Sequence, residues 1–137
     1  MVSTSILHIN TSFLPLYFGG AAFVLHNAGR IFQKITLKRI SYRLFMLTGL
    51  VTTMTCGFGG ASLRRVESGG GIDSAVLKFH AWTAMVVFLL SLAMAYFSIK
   101  ALRNRNESNG MDKNLLIISS AFLIVFLLTT IVAYKIR

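Results

Sequence analysis

The sequence predicts an all-α integral membrane protein, a four-helix bundle with both termini outside the cytoplasm. Three observations predict it. Of 137 residues, 55% are hydrophobic and only 13% charged, about half the charge of an ordinary soluble domain. The apolar residues gather into four runs, each approaching the roughly 20 residues that cross a bilayer as a helix. The basic residues stand in short clusters beside those runs, as they do where they set membrane orientation. Residues 1–137 read as one transmembrane domain.

The first seven residues, MVSTSIL, carry no basic group ahead of the apolar stretch. A cleaved signal peptide normally needs one, so the first run reads as a retained helix. That span is expected over about 13–29, with Asn10, Thr11 and Ser12 as capping candidates and Pro15 in the first turn, where no amide donor is required. A basic loop with Arg30, Lys34, Lys38, Arg39 and Arg43 should follow. Its interleaved Ile31, Phe32, Ile35, Leu37 and Ile40 suit either a membrane-surface segment that attracts anionic lipid or a solvated connector.

The second span is expected over about 44–63, the third over 79–99 and the fourth over 115–134. The three-glycine break Gly69–Gly71 separates the second from the third, and the polar stretch KALRNRNESNGMDKN separates the third from the fourth. Helices are the open-chain solution in lipid, because each backbone amide must be satisfied within its own segment. The runs are too long and too uniformly apolar for barrel strands.

Orientation follows from the basic residues. The first and third connections hold nine: Arg30, Lys34, Lys38, Arg39, Arg43, Lys100, Arg103, Arg105 and Lys113. The second connection and the C-terminus hold five: Arg64, Arg65, Lys78, Lys135 and Arg137. The richer side belongs in the cytoplasm. The same clustering excludes nucleic acid as the reason for the net charge of +10, since a phosphate-binding surface needs a continuous basic stripe. No repeat relates the two halves, so an inverted-repeat transporter is not indicated.

Small residues mark the seams along which membrane helices pack. The first span carries Pro15, Gly19, Ala22, His26 and Gly29 at alternating four- and three-residue steps. The second carries Gly49, Thr53, Gly57 and Ala61 at four-residue steps, and the third His80, Ala84, Val87, Ser91, Ala95 and Ser98. Trp82, Tyr17, Tyr42 and Tyr134 fall near span ends, as an aromatic belt does. Cys56 reads as a small packing residue: a lone cysteine forms no internal disulfide and no CxxC pair exists.

All four acidic residues, Glu67, Asp73, Glu107 and Asp112, are expected in loops. An interior without carboxylates argues against a proton-coupled carrier or pump. No nucleophile triad, phosphate loop or metalloprotease motif is present. The histidines are the remaining candidates. A haem b would need axial imidazoles presented from bundle helices. His26 and His80 lie toward opposite membrane faces, roughly 20 Å apart in depth at about 1.5 Å per residue. His8 lies at the outer level with His80, so His8 and His80 form the pair that can share a haem or metal ion. His26 reads as a buried hydrogen-bonding residue, or as the contact of a polar inner site with Arg30, for a partner subunit or a quinone headgroup.

The segments LHINTSFLPL, GFGGASLRRVES and KFHAW resemble an uncharacterised bacterial family of four-span membrane proteins. Members carry one histidine before the first helix and another opening the third, and some are joined to c-type cytochrome modules. The resemblance covers roughly the first three spans and singles out His8 and His80. It departs where the family has His-Phe-Pro, since this chain has Ser12-Phe13-Leu14-Pro15. It implies the bacterial cytoplasmic (inner) membrane and an association with membrane electron transfer.

These readings favour a non-catalytic accessory subunit of a larger membrane complex, in contact with the lipid bilayer and other membrane subunits. The alternatives are a haem-binding electron carrier that uses His8 and His80, and a small-molecule channel or carrier, which a homo-oligomer would suit.

Overall fold

Five helices form among the described residues: α1 (Thr4–Thr11), α2 (Leu14–Ile31), α3 (Ile35–Gly69), α4 (Ser74–Arg103) and α5 (Asn109–Ile136). The structure is a computed structural model that describes residues 4–69, 74–104 and 109–136, with side chains over 8–61, 75–104 and 110–133. Most of the Gly69–Gly71 break, the side chain of Tyr134 and the acidic side chains of Glu67, Asp73 and Glu107 lie outside those residues.

Helices α2 to α5 contain the four apolar runs, but three of them extend well beyond. Helix α3 begins at Ile35 rather than near Leu44, so most of the supposed basic loop is its first turns. The segment ITLKRISYR holds no glycine or proline to stop a helix, and backbone hydrogen bonding is indifferent to side-chain charge. Helix α5 begins at Asn109 rather than near Leu115, which brings Asp112 into its first turn. Among the described residues, three segments are long and apolar enough to cross a membrane: Ile35–Ala61, Ala75–Arg103 and Gly110–Ala133. Helix α2 has 18 residues, about 27 Å. It is not among the three, since His26, Asn27 and Arg30 make its last turns polar.

Asn10, Thr11 and Ser12 do not cap α2. Its N-cap is Phe13, which makes no side-chain cap bond, and Pro15 occupies the first turn. The Thr11 and Ser12 hydroxyls instead donate back to the His8 carbonyl and close α1. The connection from α2 to α3 is Phe32–Gln33–Lys34. Gln33 has φ 52°, and the Lys34 amide donates to the Gly29 carbonyl at 3.0 Å. This is the Schellman way of ending a helix, with the left-handed position held by glutamine instead of the usual glycine.

The four long helices pack as a ring, α2 on α3, α3 on α4, α4 on α5 and α5 on α2, while α1 lies along α3. The centre holds Ala22, Tyr42, Phe45, Val87, Met94, Leu115, Phe122 and Phe126. Close approach depends on small residues. A Cβ on Gly19 would stand 2.7 Å from the Phe122 ring, and one on Gly49 would stand 3.0 Å from the Ala95 Cβ and 3.2 Å from the Ser91 carbonyl oxygen. Ala22 is fully buried. Gly57 and Ala61, placed by their spacing in the same seam as Gly49, are exposed, and nothing lies within 4 Å of a Cβ on Gly57. The buried face of α3 runs instead through Lys38, Ser41, Tyr42, Phe45, Thr48, Thr52 and Thr55. The Thr48, Thr52 and Thr55 hydroxyls each donate to the carbonyl four residues earlier in α3. They are thus satisfied within their own helix in an apolar setting.

Candidate functional site: a buried ionisable cluster beside a basic cleft

The end of the bundle formed by the close of α2 and the starts of α3 and α5 gathers four ionisable or hydroxylated side chains around Asp112. Lys38 Nζ donates to Asp112 Oδ2 at 2.8 Å, and the Tyr42 hydroxyl donates to Oδ1 at 2.8 Å. His26 Nε2 lies 3.4 Å from the Asp112 carbonyl oxygen and 3.9 Å from Oδ1. His26 Nδ1 is 3.4 Å from Ser41 Oγ, which donates to the Lys38 carbonyl at 2.7 Å. His26 is wholly buried, and its ring meets Tyr42 and the edge of Phe45.

This overturns the expectation of an interior without carboxylates. Asp112 is 7% exposed and Lys38 9%. Each would be costly to bury alone, and each neutralises the other within a hydrogen-bonded network. Tyr42 is also corrected: it is 4% exposed and serves Asp112 rather than an aromatic belt, whereas Tyr17 and Trp82 are exposed at 70% and 72%. The polar composition around Asp112 conceals this role. A signal was nonetheless present. Asp112, Leu115, Ser119, Phe122 and Phe126 recur at three- and four-residue steps, and all are buried on one face of α5.

Above the cluster opens a cleft of about 730 Å³ lined by Asn27, Arg30, Ile31, Gln33 and Ile35, with Lys38 and Asp112 at its base. Arg30 has no carboxylate partner among the described residues. The left-handed Gln33 belongs to this lining. Glycine would relieve its backbone cost but would leave the cleft without that amide.

His8 and His80 lie at the other end. His8 Nδ1 is 3.1 Å from the Thr55 carbonyl oxygen, and its ring rests on Gly59, where a Cβ would stand 2.9 Å from Cε1. His80 is within Coulombic range of His8 and faces the Thr129 backbone. Its Nδ1 is buried without a hydrogen-bond partner among the described residues. The structure therefore places these two histidines at one level and His26 apart from them. No group of three or more His, Cys, Asp or Glu able to hold a metal ion occurs among the described residues. Cys56 is a partly buried free thiol on α3.

No protein-family model, curated protein or solved structure matches this chain.

Proposed function

We propose that the chain is a four-span integral membrane protein, with both termini outside the cytoplasm, that acts as a non-catalytic accessory subunit of a larger membrane complex. Helix α2 supplies the fourth span: it closes the ring with three helices that are long and apolar enough to cross. Its polar groups His26 and Arg30 meet the buried cluster and the cleft respectively. The end bearing Arg30, Lys34, Lys38, Arg39 and Arg43 is the cytoplasmic one by the positive-inside rule.

The observation that carries the subunit reading is the outward face of α3. Thr53, Gly57, Gly60 and Ala61 are exposed there, and among the described residues nothing stands within 4 Å of a Cβ on Gly57 or Gly60. Lipid has no need of small residues, whereas a neighbouring helix does, because backbones must approach closely to gain packing contacts. The resemblance to proteins joined to cytochrome modules makes electron-transfer complexes of a bacterial inner membrane the first place to look.

The test is copurification from native membranes. The wild type should bring a membrane partner with it, and Gly57→Leu combined with Ala61→Leu should lose that partner while the purified chain stays folded. A wild type that emerges alone and monodisperse, or a variant that retains its partner, defeats the reading.

One observation favours a second reading, a haem group shared by His8 and His80: the buried, unpartnered Nδ1 of His80. The contact of His8 Nδ1 with the Thr55 carbonyl would also orient that ring as outer hydrogen bonds orient ligating imidazoles. The donor set fits such a group at His80 and requires the second ring nitrogen of His8. Bound haem would supply one-electron transfer. Protein from haem-supplied cells should then show a Soret band that His80→Ala removes and His26→Ala preserves. A spectrum without the band ends this reading.

A further inference from the structure

We propose that the cleft between the end of α2 and the start of α3 holds the phosphate headgroup of an acidic phospholipid. The inference rests on the four-span reading, which puts this cleft at a membrane face.

The argument begins with the charge of the lining. Among the described lining residues, Arg30 and Lys38 are cationic and Asp112 is the one acid. That carboxylate is already taken up, by Lys38 on one oxygen and Tyr42 on the other. Arg30 is left with a full guanidinium and no carboxylate partner among the described residues. Guanidinium is the side chain whose planar fork suits two phosphate oxygens at once. Gln33 adds an amide from a backbone position that glycine would hold with less strain. The described lining residues are therefore rich in donors and together carry a net positive charge, which selects an anion.

The surroundings select an amphiphilic anion. Ile31 and Ile35 line the cleft itself, and they are 75% and 43% exposed, with Phe32 beside them at 66%. An apolar lip around a cationic pocket matches a lipid, whose headgroup enters while its acyl chains lie along the lip. A free phosphate ester would leave that lip bare. Lys34, Arg39 and Arg43 are exposed at the same end and add to the attraction of an anionic leaflet.

Native mass spectrometry tests this on the purified full chain, equilibrated in mixed micelles with equal amounts of phosphatidylglycerol and phosphatidylcholine. Phosphatidylglycerol should be retained in preference, and an excess of inorganic phosphate should not displace it. Arg30→Gln, a change at an exposed position, should weaken retention about tenfold or more, the factor that corresponds to about 1.4 kcal/mol. Ile31→Ser with Phe32→Ser should weaken it too. Equal retention of both lipids, or undiminished retention by Arg30→Gln, overturns the proposal. Displacement by inorganic phosphate overturns it as well, in favour of a soluble phosphate ester. The Gly57→Leu, Ala61→Leu variant should lose its protein partner yet keep the lipid, so the two proposals fail separately.

Discussion

Asp112→Ala should destabilise the folded chain by about 3 kcal/mol, and Lys38→Met together with Asp112→Leu should restore most of the loss. The single substitution removes the carboxylate that accepts from both Lys38 and Tyr42, and with it the acid 2.8 Å from a Lys38 ammonium that is itself only 9% exposed. Breaking one partner of a buried ion pair typically costs about 3–5 kcal/mol. The lower end applies because Lys38 also lines the open cleft, so its ammonium can turn toward water. In the double variant no charge is stranded, and exchanging a buried pair for apolar side chains is often close to neutral. Detergent or chemical unfolding of the wild type, Lys38→Met, Asp112→Leu and the double variant would show it, with Asp112→Ala measured beside them. If the double variant is as unstable as the sum of the two single ones, the pair is not coupled.

Gly29→Val should be the most damaging change at any glycine of α2. A Cβ there would lie 2.8 Å from Lys38 Cγ, 2.9 Å from the Lys38 backbone nitrogen and 3.2 Å from the Lys34 carbonyl oxygen. Two of those atoms are backbone, so no rotamer change relieves the clash. The end of α2 must move away from the start of α3, at about 1–3 kcal/mol or more for overpacking. That movement would also draw Lys38 from Asp112, so the loss should be partly shared with Asp112→Ala in a combined variant. Gly20 is the control on the same helix. Nothing lies within 4 Å of its Cβ position, and Gly20→Ala should be neutral or stabilising by up to about 1 kcal/mol through helix propensity. Equal losses at Gly29 and Gly20 in unfolding measurements would contradict the close approach of α2 and α3.

Two of the three small-residue stripes show what can be read from spacing and where it stops. On α2, Pro15, Gly19, Ala22, His26 and Gly29 alternate four- and three-residue steps, and all five are buried. Their mean step of about 3.5 stays close to the helical repeat of 3.6, so they keep to one face. On α3, Gly49, Thr53, Gly57 and Ala61 advance by four throughout. Each such step overshoots a turn by about 40°, and three of them by roughly 120°. Gly49 consequently meets α4, while Gly57 and Ala61 have rotated out of the bundle.

Composition and run length were enough for helices, for segments able to span a membrane, and for the separation of His26 from His8 and His80, because these depend on local hydrogen bonding and on distance along the chain. They could not show that Asp112 is buried. A carboxylate beside Lys113 and Asn114, near Asn109 and Gly110, has the neighbours of a solvated residue, and only its place in register with Leu115, Ser119, Phe122 and Phe126 points inward. Its burial depends on Lys38 and Tyr42, 74 and 70 residues away in the chain. Charge neutralisation by a distant partner leaves no trace in a window of hydropathy. The basic run, which by sequence suits a membrane-surface segment or a solvated connector, thus supplies, through the packing of α2, α3 and α5, the floor and wall of a cleft.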